Sequence, residues 1–112
     1  MEYDLYNKLQ RKQEELDLCI KKLRPNGDAF AEAERDYYTK KASESLKLQE
    51  SGMAVSMIAL IIKGVKSVAD ARFQMQIAET IYKANQEAIN AIKLEMKLIE
   101  AQINREWGNN HD

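Results

Sequence analysis

Nucleophilic catalysis needs a base within hydrogen-bond reach, and this 112-residue chain has one cysteine, Cys19, and one histidine, His111, second from its C-terminus. Cys19 lies between Leu18 and Ile20 beside an apolar helical face and reads as a small buried hydrophobe. One histidine and one cysteine cannot supply the N/S ligands of an ordinary structural zinc site. The Glu-x-x-His pair of carboxylate helical bundles is absent, and no Gly-rich run precedes a helix to cradle a phosphate. Carboxylates are plentiful, but Glu32, Glu34 and Asp36 alternate with Ala and Arg at spacings that spread them around a helix. That is a solvated face rather than an acid/base dyad. The expectation is a protein with no catalytic, cofactor or metal-binding residues.

Charge suggests two kinds of partner. Met57 to Arg72 reads as a short helix, a Gly64-Val65 turn and a second helix, an arrangement like a helix-turn-helix in which Lys63, Lys66 and Arg72 would meet phosphates. Against it, the second helix is far too long for a reading helix, and the turn is one residue longer than the common pattern. Lys8, Arg11, Lys12, Lys21, Lys22 and Arg24, with Tyr3 and Tyr6 beside them, form a second basic cluster. Glu14, Glu15 and Asp17 largely offset it. The net charge of −1 gives no global pull toward nucleic acid or anionic lipid. The acidic trio Glu32, Glu34 and Asp36 could instead compete for the basic groove of a protein that binds nucleic acid.

These groups sit on elements that the sequence makes helical. The chain is 45% apolar and 31% charged, with four Gly and one Pro, which suits a folded domain and neither a disordered chain nor a membrane span. Between the few punctuation marks the residues are mostly good helix formers, and no run alternates with period two. Leu5, Leu9, Leu16, Ile20 and Leu23 predict a helix from Asp4 to Leu23, its stripe interrupted by Lys12. Pro25-Asn26-Gly27 predicts a tight turn, and Asp28 caps a second helix to Gln49 packed through Phe30, Tyr37 and Tyr38. The result is an N-terminal helical hairpin over residues 1–50. After Ser51-Gly52, residues 53–64 predict a short connecting helix capped by Ser56 and ended by Gly64. Ser67, with Asp70 three residues on, predicts the capped start of one long helix over residues 67–107.

Along that helix Val68, Ala71, Met75, Ala78, Tyr82, Asn85, Ile89, Ile92, Met96, Ile99 and Ile103 alternate gaps of three and four, a coiled-coil-like seam. Phe73, Ile77, Ile81, Ala84, Ala88, Ala91 and Leu98 make a second stripe beside it. One stripe can cover the N-terminal helices; the other needs a partner, read here as another copy of the chain, with Met75, Tyr82, Asn85, Ile89, Ile92, Met96, Ile99 and Ile103 as the oligomer seam. Asn85 either sets register in that seam or lies at its edge in water. Trp107 either caps the seam or anchors a partner. The longest strongly apolar stretch, Met53 to Ile62, is about half a bilayer span, and Met1-Glu2-Tyr3-Asp4 does not open a secretory signal, so the expected location is the cytosol, with no membrane partner.

The run Ala31-Glu32-Ala33-Glu34-Arg35-Asp36-Tyr37-Tyr38, followed by Gly52-Met53, Lys63-Gly64, Val68-Ala69-Asp70-Ala71-Arg72-Phe73, Tyr82-Lys83-Ala84, Gln86-Glu87-Ala88-Ile89-Asn90 and Arg105-Glu106-Trp107-Gly108, resembles a group of small uncharacterised helical proteins encoded by phages and prophages of Gram-positive bacteria. The resemblance covers about three-quarters of the chain. It implies a phage protein acting in the host cytosol and carries no activity or catalytic residues. The expectation is a single all-α domain that binds a phage or host protein through helical surfaces, a host defence nuclease such as a CRISPR effector being one target. The alternative is a nucleic-acid-binding accessory protein of phage recombination or replication, acting through Lys63, Lys66 and Arg72.

Overall fold

The computed structural model describes residues 2–111, with side chains over 4–108; the side chains of Tyr3 and His111 lie outside that range. The chain is all-α. Helix α1 spans Glu2–Glu50, α2 spans Val55–Ile61, a 3-10 turn spans Ile62–Gly64, and α3 spans Lys66–His111. Two compact units draw on these elements, a terminal unit of residues 1–25 and 83–112 and a central unit of residues 26–82.

The expected hairpin within residues 1–50 is not formed, because α1 continues through Pro25. Proline removes the N–H that would reach the Lys21 carbonyl and crowds that carbonyl. Pro25, Lys21 and Lys22 are all exposed, so water can take the freed acceptor. Each half of α1 also packs on α3 within its own unit, and that burial outweighs a local cost of about 3 kcal/mol. Gly27, expected in a turn, is helical and serves close approach. A Cβ there would lie 3.1 Å from Cε1 and 3.4 Å from Cζ of Tyr82.

α1 ends where the sequence says it should. Gly52 has φ +94°, the left-handed conformation that glycine adopts without a side-chain penalty. The Met53 N–H donates to the Leu48 carbonyl at 3.1 Å and the Gly52 N–H to the Gln49 carbonyl at 3.0 Å, the paired bonds of a Schellman motif. Leu48 and Met53, the two residues such a motif brings together, both pack on the central core.

Both predicted caps downstream are misplaced. Ala54, not Ser56, precedes α2, and no side chain caps it. α3 starts at Lys66, so Ser67 lies inside its first turn with its hydroxyl buried and unpartnered, while Asp70 pairs with Lys66 at 2.9 Å. The 3-10 turn consumes Gly64 and lets the Val65 carbonyl accept from the Ala69 N–H at 2.8 Å, so the backbone starts the helix before Ser67 can cap it.

In the central unit Tyr37, Ile58, Ile62, Val68 and Ala71 form the core, with Leu48, Met53, Val65 and Met75 packed against it. Tyr37 is 4% exposed whereas its neighbour Tyr38 faces water, and Phe30 meets Tyr82 with ring centroids 6.2 Å apart. In the terminal unit Leu16, Ile89 and Ile92 form the core with Cys19, Leu23 and Met96. Cys19 takes the inward position expected of Ile20, which is exposed. Lys12 reaches across from α1 to Glu95 at 2.6 Å and Cys19 meets Asn85 further on, so the two segments run antiparallel.

Candidate interaction surface

The seam is filled inside the chain, which corrects its assignment as an oligomer surface. Met75 packs on the central core, and Tyr82 lies against Gly27 and Phe30. Ile89, Ile92 and Met96 pack with Leu16 and Cys19 of α1, and Ile99 and Ile103 are buried as well. Asn85 is buried, and its Nδ2 donates to the Cys19 carbonyl at 2.9 Å. An apolar stripe at coiled-coil spacing cannot distinguish a helix of its own chain from one of a second copy. α1, whose halves reach the stripe at high effective concentration, takes it.

The charged candidates are only partly gathered: Glu32 and Asp36, four residues apart, share one face of α1. Glu32, Glu34 and Asp36 are all exposed, but Glu34 projects about 160° around α1 from Glu32, and Asp36 is paired with Lys40 at 3.2 Å. Lys63, Lys66 and Arg72 are likewise exposed. Arg72 sits about 120° around α3 from Lys66. Lys66 is held by Asp70, whose hydrogen bond and charge raise its pKa above the ordinary 10.5. Lys12 is raised as well, by hydrogen bonds to Glu95 first and then Glu15. Among the described residues no group of three His, Cys, Asp or Glu side chains could hold a metal ion, and no helix is long and apolar enough to cross a membrane.

Apolar side chains in water mark the surface that remains. On α2 only Ile58 is buried; Val55 is 70% and Leu60 79% exposed, with Met57 and Ile61 also open. The second α3 stripe is open too, with Phe73 59% exposed and Ile77 and Ile81 beside it in the central unit. A groove of about 340 Å³ runs between α2 and the end of α1, and Lys41 and Lys63 are both in its wall. Another of about 260 Å³ lies along Ala29, Ala33, Ala78, Ile77 and Ile81.

The exposed face of α2 was not read from the sequence, where residues 53–62 register only as an apolar block. Its signal is the segment Val55-Ser56-Met57-Ile58-Ala59-Leu60-Ile61, apolar at every position but Ser56, which a two-turn helix lying on one neighbour cannot bury. Comparison with known proteins finds no match: no family model, no curated protein and no solved structure.

Proposed function

We propose that the chain is a non-catalytic interaction protein that binds a protein partner through the helical surfaces of its central unit. The observation that carries this reading is α2, a seven-residue helix that leaves Val55, Met57, Leu60 and Ile61 in solvent. Grouped exposed aliphatics on a soluble domain mark an interaction surface. Burying one such side chain contributes about 1.5–3 kcal/mol, so covering the group would drive association. With the resemblance to phage-encoded proteins, the partner is a phage or host protein met in the host cytosol, and an inhibited defence nuclease such as a CRISPR effector is one candidate. Self-association of the chain would use the exposed Phe73, Ile77 and Ile81 stripe and not the filled seam.

The test is a tagged pull-down from host lysate with and without nuclease, read by mass spectrometry and followed by reconstitution from purified components. A stoichiometric protein that survives nuclease and rebinds in purified form is the expected result. Loss of every partner on nuclease treatment would refute this reading in favour of nucleic acid bound through Lys63, Lys66 and Arg72.

A further inference from the structure

In the central unit the fold leaves without an occupant the Ala-lined groove beside Ile77 and Ile81, the open stripe around Phe73, and the groove along α2. The first carries no charge that would select a partner. The α2 groove does. One wall is a row on α1, Lys41, Ser45 and Gln49, spaced four residues apart and therefore stacked on one helix face. The opposite wall is apolar, with Val55 and Ala59 on α2 above Ile58 and Ile62. The chain reverses at Gly52, so α2 runs back along α1 and brings Lys63 to the end of the groove that holds Lys41. No carboxylate is among the lining residues.

We infer that this groove docks an amphipathic helix of the protein partner, aliphatic where it meets α2 and carrying carboxylates at the end that reaches Lys41 and Lys63. The inference deepens the partner-binding reading and rests on it. From Lys41 to Gln49 the groove is roughly 12 Å long, about two helical turns, so it takes anchors at i, i+3, i+4 and i+7. The apolar wall supplies affinity by losing water. The two ammonium groups at one end set direction, because a basic end placed there would meet like charge. Ser45 and Gln49 offer hydrogen-bond partners to the polar edge of the occupant.

The experiment is fluorescence anisotropy on the full chain with a labelled, Ala-based helical peptide of about 14 residues carrying Leu at those four anchor positions and two Glu at one end. A second peptide has Lys in place of both Glu. The Glu-ended peptide is expected to bind, and the Lys-ended peptide to bind at least about tenfold more weakly, as two exposed ion pairs allow. K41E/K63E reverses that order, and A59W, which fills the groove, abolishes binding of both. The Lys41 ammonium lies 5.9 Å from the centroid of the buried Tyr37 ring, so far-UV circular dichroism must show K41E/K63E folded like the parent, with K41Q/K63Q as a second variant that removes charge alone. Equal binding of the two peptides overturns the inference, as does a preference that survives K41E/K63E. So does binding to phosphatidylglycerol–phosphatidylcholine vesicles with neither peptide bound, or a self-associated chain that L60E converts to monomer. A lysate partner retained by K41E/K63E and A59W sinks the groove and leaves the broader reading standing; absence of any protein partner sinks both.

Discussion

Replacing Pro25 by alanine tests whether α1 is one helix. The proline sits inside a 49-residue helix with its ring exposed, so alanine removes no buried contact. It restores the N–H that bonds the Lys21 carbonyl and relieves the crowding of that carbonyl by the ring. An interior proline is about 3 kcal/mol less favourable than alanine. The outward-facing site lets water satisfy part of the lost bond, which leaves a gain of about 2 kcal/mol for P25A. At about 4 °C per kcal/mol for a chain of this size, Tm rises by about 8 °C. The assay is thermal unfolding followed by far-UV circular dichroism, with urea unfolding to give the free energy. An unchanged or lowered Tm would refute the reasoning. It would mean that residues 25–27 form a turn, because alanine there would extend the helix through the hairpin and pull its two arms apart.

Three further outcomes follow from the packing. G27A should bring none of the stability, about 1 kcal/mol, that alanine normally adds over glycine in a helix, because its Cβ would crowd the Tyr82 ring at 3.1 Å. The gain should reappear in a Y82A background, and a urea double-mutant cycle showing no coupling between the two sites would reject the close-approach role. N85A should cost about 1–2 kcal/mol in urea unfolding through loss of the buried bond to the Cys19 carbonyl; a change below about 0.5 kcal/mol would place Asn85 in water. For Lys12, a folded-state pKa raised above 10.5 by Glu95 and Glu15 means that its stabilisation is complete below that pH and is lost as pH rises through the folded value. K12M should therefore melt below the parent at neutral pH, with the gap closing as the pH rises beyond the ordinary lysine value of 10.5. A pH-independent gap would assign the effect to packing of the lysine stem.

Helical content and the long C-terminal stripe were legible because they rest on local rules. Alternating gaps of three and four from Val68 to Ile103 put those side chains on one face whatever they pack against, and every one of them is buried or half-buried. The stop at Ser51-Gly52 was legible for the same reason, since a left-handed glycine after a helix is a matter of one residue and its two bonds. Lys12 interrupts its stripe in the sequence, and what it does there, reaching Glu95 more than eighty residues away, needs the fold.

The candidate surface was less legible. Spacing identified two apolar stripes on α3 but could not rank them, and it assigned the seam to a second copy when α1 fills it. Nor could it show that Lys66 is engaged by Asp70, or that Lys41 and Lys63 meet at one groove. Sequence by itself determined that the chain is helical, where α1 stops and which faces of α3 are apolar, because each follows from backbone chemistry and periodicity within a few turns. Tertiary structure alone decided that α1 runs through Pro25, that Gly27 admits Tyr82, and that α2 keeps its apolar face in water. These outcomes depend on how much surface distant segments bury against each other, and no local propensity contains that sum.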